Sequence, residues 1–389
     1  MLSNLRIKNF RMLVDLNISK LGRVNLIVGK NNSGKSTILE ALRIYAGNAN
    51  PSLLREILAI HDESFNLDET RGFESDGQSW GAIKHLFPNR ELPTAENTLL
   101  TIGTGKNKTL SIEYVFYYVD TEEITNDEGE VFDIKRKRVF VSRSELSTVT
   151  ETQEVTPAIR LRNGLRTALI DLTDDMRRTK TSSLILGGVG SSTLNCSYVP
   201  TEFLTSEALA TLWDKIALSS KEGVVLDALK IIDESLERLT FIEDPNKASS
   251  RDNSRLPIVT LKDSDKRIPL NSMGDGMSRI LQLILSVFPA KDGILLIDEF
   301  ENGLHFSVQE EVWKIIFKLA KELNIQVFAT THSWDCIESF TKVAIESPEE
   351  GILLKVSKSK LVSDNGKVIA TVYSEKELAT ITATELEVR

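Results

Sequence analysis

The stretch GKNNSGKST, Gly29–Thr37, restricts the fold more than any other part of this chain. It has the form G-x-x-x-x-G-K-S. The apolar run VNLIV precedes it, and ILEALRIYA follows, with Ile38, Leu42 and Tyr45 at helical spacing. Strand, loop and helix in that order let the loop's N–H groups surround phosphate oxygens at the positive end of the helix. Glycine at 29 and 34 permits backbone conformations that a side chain forbids. Lys35 brings a full positive charge to the outer phosphates, and Ser36 offers a hydroxyl to Mg²⁺. Asn31, Asn32, Ser33, Gly34, Lys35, Ser36 and Thr37 are thus the expected nucleotide-binding residues.

A second segment completes such a site. In GILLIDEFENGLH, Gly293–His305, an uninterrupted apolar run leads to Asp298 and Glu299, the pattern of a strand buried on both faces that ends in two carboxylates. Ligand sites in open α/β sheets lie at such carboxyl ends. Asp298 suits Mg²⁺, a hard ion that prefers oxygen, and Glu299 suits the water that attacks the γ-phosphate. A further strand, IQVFATT, ends at His332, which is placed to donate a hydrogen bond to that phosphate. In NSMGDGMSRI, residues Ser272, Gly274 and Gly276 precede an apolar helix and form a second anion site. Two such sites on one chain are redundant unless the second serves another subunit.

The remaining segments suggest an order of domains. Alternating strands fill TLSIEYVFYYV, VFDIKRKRVFV and AIRLRN, and helical periodicity returns in SEALATLWDKIAL and GVVLDALKIIDESLERL, with Val225, Leu229, Ile232 and Leu236 in one stripe. The expected division is a first ATPase segment at 1–97, a β-rich insertion at 98–190, a second ATPase segment at 191–345 and a C-terminal extension of strands and a terminal helix at 346–389. A guanine-reading N/T-K-x-D is missing, since TKTS at Thr179–Ser182 lacks the aspartate. The long separation of Lys35 from Asp298 argues against an AAA+ motor.

Taken in order, NFR (Asn9–Arg11), the phosphate loop, SMGDG, LLIDEFENGLH and FATTHS resemble the ABC-type ATPases of the SMC/RecF/OLD group. Within that group they are similar to the bacterial OLD-like AAA15 ATPases. The resemblance covers roughly residues 1–60 and 195–340. It implies an α/β fold, an ABC-type P-loop ATPase head carrying a β-rich insertion and a small C-terminal α+β extension. It also implies ATP as substrate with Mg²⁺, and a head-to-tail homodimer or higher homo-oligomer in which Ser272, Gly274 and Gly276 close on the partner's nucleotide. Arg11 would lie near the nucleotide and His305 at the dimer seam. The signature departs from LSGGQ, and Gln78 is the one candidate for the Q-loop glutamine.

OLD nucleases carry a TOPRIM nuclease domain after the ATPase. The stretch beyond His332 is short for one, with Asp335 and Asp364 its sole aspartates. By resemblance, the expected partner is a separately encoded effector such as a TOPRIM-type nuclease, often in defence against phage. Two other uses of ATP stay open, a slow switch that times a scaffold and a RecF-like ATPase acting on DNA. A net charge of −9 argues against a general electrostatic grip on DNA, so any contact is regional, with KRKR (Lys135–Arg138) the candidate. On a strand only two of those four residues share a face. Two distant cysteines, and no apolar run near the roughly 18–20 residues that cross a bilayer, point to a cytoplasmic protein without a membrane partner.

Overall fold

Alternation and continuous burial separate the first three strands. Leu5–Phe10 (β1) and Leu13–Ile18 (β2) each keep one wetter face, whereas all of Val24–Val28 (β3) is buried. The computed structural model describes residues 1–63, 80–93, 98–105, 108–125, 131–142, 144–146, 149, 153–164, 166–172, 194–244, 255–262, 264, 266–347, 350–373, 377, 378 and 380. Gln78, Thr179–Ser182 and most of the expected terminal helix lie outside these residues. Internal contacts divide the chain into two units. One comprises Met1–Leu5, Asn17–Leu39 and Leu194–Arg389, and the other Arg6–Leu16 and Glu40–Thr193.

The first unit is built on a six-stranded sheet. Its strands are β3, Cys196–Val199 (β9), Ile294–Ile297 (β13), Gln326–Thr331 (β14), Gly351–Lys358 (β15) and Val368–Tyr373 (β16), in the order β16-β15-β3-β14-β13-β9. All pairings are parallel except β15 with β16, so the carboxyl ends of β3, β13, β14 and β15 share one edge. Asn25 is the polar exception inside β3. Its side-chain oxygen accepts from Gly22 N and its side-chain nitrogen donates to the Gly22 and Val327 carbonyls, so its buried amide is paired at both atoms.

Helices cover this sheet. Lys35–Ala46 (α1) follows the phosphate loop, with Ile38 and Leu42 buried and Tyr45 half-buried. Asp275–Val287 (α5) is buried along nearly its whole length. Phe306–Glu322 (α6) and Trp334–Glu346 (α7) supply an aromatic cluster. Trp313 stacks on Phe300 with ring centroids 3.7 Å apart and meets Phe317 and Phe340 edge-on. No helix among the described residues is long and apolar enough to cross a membrane.

The other unit carries a seven-stranded sheet in the order β2-β1-β4-β5-β7-β8, with β6 also on β5. Here β4 is Leu99–Gly103, β5 Thr109–Thr125, β6 Val131–Val141, β7 Thr156–Asn163 and β8 Arg166–Asp171. Helix α2, Pro51–Ile60, belongs to the same unit and is capped by Asn50.

Three departures from the expected organisation have physical causes. The strands of the 98–190 region do not form a sheet of their own, because β4 pairs with β1 and continues the N-terminal sheet. The described strands of the 346–389 region do not form an appendage, because β15 joins the core sheet, pairing with β3 from Gly351 opposite Val24 to Lys355 opposite Val28. The helix expected through GVVLDALKIIDESLERL stops early, as Lys221–Leu229 (α4), and Leu236–Glu243 becomes strand β10. Beyond the helix end Asp233 accepts hydrogen bonds from Ser235 N and Ser235 Oγ, a local turn that leads into β10, and β10 then pairs with β11, Arg255–Leu261.

The aromatic cluster lies directly behind the Asp298–Glu299 turn through Phe300, so its loss should be costly. Trp313→Ala is expected to lower the free energy of unfolding by about 3–5 kcal/mol, read from the denaturant midpoint. A change below about 1 kcal/mol would show that the stack contributes little beyond ordinary packing.

Candidate functional site

The phosphate loop is tight, and its glycines are required for different reasons. Gly34 has φ +101°, a conformation that suits glycine, and Asn32 also takes a positive φ of 57°. At Gly29 the limit is space, because a Cβ would come within 2.2 Å of the Val356 carbonyl oxygen on β15. Ser33 and Gly34 are buried, while Asn31, Asn32 and Ser36 are exposed. Lys35 Nζ donates to the carbonyls of Gly29 (2.8 Å) and Lys30 (3.2 Å). Burial pushes the Lys35 ammonium below its ordinary pKa, and Asp298, Glu299 and Glu301 oppose that shift.

The structure brings the two halves of the site together. Ser36 Oγ lies 3.2 Å from Asp298 Oδ1, and the same carboxylate oxygen accepts from Thr330 Oγ1 at 2.5 Å. Thr330 Oγ1 in turn accepts from Glu299 N at 2.9 Å. Glu299 takes a left-handed φ of 47°, a strained choice for a non-glycine residue. Arg279 offsets the strain. Wholly buried on α5, its guanidinium donates to the carbonyls of Asp298 (2.9 Å), Glu299 (2.8 Å) and Pro200 (2.7 Å), and burial pushes its pKa down to about 10.

His332 reaches the same edge but is held by a residue the motif reading passed over. Glu301 Oε1 accepts from His332 N at 3.0 Å and lies 3.2 Å from Nδ1, whereas Glu299 Oε1 is 3.7 Å away. Glu301, Thr330 and Arg279 are all neighbours of motif residues or stand out from them. Glu301 is a third carboxylate in DEFE, Thr330 the first hydroxyl of TTH, and Arg279 a lone cation in an apolar helix.

The signature residues occupy the exposed start of α5. Gly274 has φ +100°, and Ser272 Oγ donates to Pro269 O at 2.7 Å. A Cβ on Gly276 would approach Ile232 and Gly303 rather than the phosphate loop. His305 caps α6, its Nδ1 paired with Ser307 Oγ at 2.8 Å beside the exposed Phe306. In the other unit Arg11 is ion-paired to Glu40 at 3.1 Å and to Glu63 at 2.9 Å, and His61 also bonds Glu40.

The oxygens of Ser36 and Asp298 fit a hard cation. Among the described residues no cluster of three or more His, Cys, Asp or Glu side chains could hold a metal. Mg²⁺ does not require one, since it is commonly bound by one or two protein oxygens together with water and substrate phosphates.

A phosphate loop at the end of one parallel strand, facing paired carboxylates at the end of another, defines a P-loop nucleoside triphosphatase site. The chain belongs to the AAA ATPase domain family (AAA_15), whose profile matches residues 1–176 and 203–337. It is 22% identical over 349 residues, 89% of each chain, to an ATP/GTP phosphatase of Helicobacter pylori. It is 24% identical over 349 residues to the OLD nuclease of Thermus scotoductus, covering 86% of this chain and 59% of that protein. Among solved structures, an SMC head bound to the C-winged helix domain of ScpA superposes with a TM-score of 0.48 at 15% identity, covering 97% of this chain and 99% of the other. The family match and the OLD relative agree with the resemblance carried by the motifs.

Arg279→Lys keeps the positive charge but cannot span three carbonyls. ATP turnover is expected to fall about tenfold, as loss of one to two hydrogen bonds at the Asp298–Glu299 turn would produce, with ATP affinity nearly unchanged. Equal turnover in the two proteins would remove Arg279 from any positioning role.

Proposed function

We propose that this chain binds ATP in the loop Gly29–Thr37, hydrolyses it to ADP and phosphate, and uses the cycle to gate a separate effector. The observation that carries the reading is the 3.2 Å contact between Ser36 Oγ and Asp298 Oδ1, with Lys35 and Glu299 beside it. Lys35 Nζ exchanges its carbonyl partners for the outer phosphates, and the loop N–H groups hold the inner ones. Ser36 and Asp298 would hold Mg²⁺, which neutralises charge on the β- and γ-phosphates. Glu299 accepts a proton from the attacking water, its backbone held by Arg279 and Thr330. His332, oriented by Glu301, donates to the γ-phosphate.

The exposed start of α5 supports a composite site. Ser272, Gly274 and Gly276 present a helix N-terminus outward, the group that would close on a second copy's nucleotide in a head-to-tail dimer. Similarity to a protein named OLD nuclease, of which the chain spans 59%, supports a nuclease as the effector; the TOPRIM type and a setting in phage defence rest on the motif resemblance alone.

Glu299→Gln should retain ATP and lower turnover by at least about 100-fold, since the amide keeps the shape and loses the base. ATP-dependent dimers should then accumulate in light scattering. Lys35→Ala should lose ATP binding while its unfolding curve stays that of the wild type. Full turnover by the Glu299→Gln protein would move the general base elsewhere.

A second reading, direct action on DNA, is favoured by one face of the seven-stranded sheet. Lys135 and Lys137 lie across from Glu122 and Asp120, whereas Arg136 and Arg138 lie across from Thr121 and Val119, without an acidic cross-strand neighbour. The two arginines line a 1120 Å³ cavity together with Arg160 and Arg162. Arg138 sits over Tyr117 at 5.1 Å, and Arg160 over Phe140 at 4.8 Å while paired to Glu113. If this face meets phosphates, replacing Arg136 and Arg138 by alanine should reduce the slope of log affinity against log salt by about 0.9 per lost contact on duplex DNA. An unchanged slope would leave the face a solvated surface.

A further inference from the structure

One face of the seven-stranded sheet gathers cations from two separate strands. Side chains alternate along a strand, so Arg136, Arg138 and Phe140 of β6 share a face. Across from them on β5 stand Thr121, Val119 and Tyr117. On β7 the same alternation puts Arg160 and Arg162 together, across from Leu169 and Thr167 of β8. Arg160 joins the two groups, since its guanidinium lies 4.8 Å from the centre of the Phe140 ring. All four arginines line the 1120 Å³ cavity, and among the described residues no carboxylate does.

The cations stand on an apolar floor, because Val115, Tyr117, Ala158 and Leu169 are buried together as a small core of this unit. Buried Glu113 accepts from Arg160 at 2.6 Å and lies 3.8 Å from Arg162, so these three groups together carry one positive charge. Arg136 and Arg138 add two more. Phe140 differs from the floor in being 42% exposed, with Arg160 over its ring. An open aromatic ring among guanidinium groups combines a stacking platform with a groove for phosphates. In a duplex the base faces are covered by neighbouring pairs, so it could use the arginines alone, whereas a single strand engages both. The volume exceeds the about 300–1000 Å³ of sites for one small molecule, which favours linked nucleotides over a free one.

We propose that this cavity binds single-stranded DNA, with phosphates on Arg136, Arg138 and Arg162 and a base stacked on Phe140, an inference that rests on the DNA reading above. That reading needs phosphate contacts only. Stacking on Phe140 adds selection of an unpaired strand over a duplex, since a paired base reaches the ring only by leaving its own stack.

The experiment measures fluorescence anisotropy of labelled oligo-dT of about 16 nucleotides, a length that spans known single-strand sites, and of a duplex of equal length, each with the full chain. Oligo-dT should bind at least about tenfold more tightly than the duplex. Phe140→Ala should weaken oligo-dT binding at least about fivefold, as loss of one stacked base produces, and leave duplex binding unchanged. Replacing Arg136 and Arg138 by alanine should lower the salt slope for oligo-dT by about 0.7 per lost contact. Phe140 is exposed, and a thermal unfolding curve checks that variant's fold. In the wild type, photocrosslinking to an oligonucleotide that carries 5-iododeoxyuridine should mark a peptide from β6 or β7 and does not depend on any variant. Equal affinity for strand and duplex, undiminished oligo-dT affinity in a folded Phe140→Ala protein, or crosslinks confined to another part of the chain would overturn the proposal. Duplex binding whose salt slope still depends on Arg136 and Arg138 would in that case keep the DNA reading. A wild-type chain that binds neither form of DNA would overturn that reading, and this inference with it.

Discussion

One carboxylate oxygen joins three strand ends. Asp298 Oδ1, at the end of β13, accepts from Ser36 just beyond β3 and from Thr330 on β14. Each of these strands is buried throughout, so the shared oxygen holds three rigid elements in register at their carboxyl edge. A hydrogen bond to an ionised acceptor is roughly twice as strong as a neutral one, and at a nearly buried site water competes little for it. Lys35 directly precedes Ser36, Glu299 directly follows Asp298 and His332 lies two residues beyond Thr330, so each flanks a member of this junction.

The turn after Asp298 is the costly part of the arrangement. Glu299 adopts a left-handed backbone, and structures retain such strain only where the surroundings over-determine it. Here they do so from both sides. Arg279 and Thr330 bind the turn's polar groups, and Phe300 is locked in the stack with Trp313. Arg279 also belongs to the helix whose exposed start carries Gly274 and Gly276.

β15 plays a part that its place late in the chain conceals. By pairing with β3 it gives the phosphate strand a second parallel neighbour, and its Val356 carbonyl explains why position 29 admits only glycine. The same strand, with Lys355–Lys358, also lines a cavity beside Lys30–Ser33 of the loop. Its burial pattern, continuous over Gly351–Leu354, is that of a core strand rather than of an appendage.

The phosphate loop, the Asp298–Glu299 strand end and the strand before His332 were legible in the sequence because each is a local pattern, complete within about a dozen residues. The end of α4 was not, since the stripe from Val225 to Leu236 keeps a helical period although the helix stops at Leu229 and a turn at Asp233–Ser235 follows. The expected boundaries at 97/98 and 345/346 were set by changes of local character, whereas the pairing of β4 with β1 and of β15 with β3 depends on residues far apart in the chain. Residue types and their local spacing determined by themselves which groups are proposed to handle phosphate, metal and water. Which groups hold those residues in place, namely Arg279, Thr330, Glu301 and Val356, was decided only by the tertiary structure, because hydrogen bonds and van der Waals contacts depend on distance in space and not on separation along the chain.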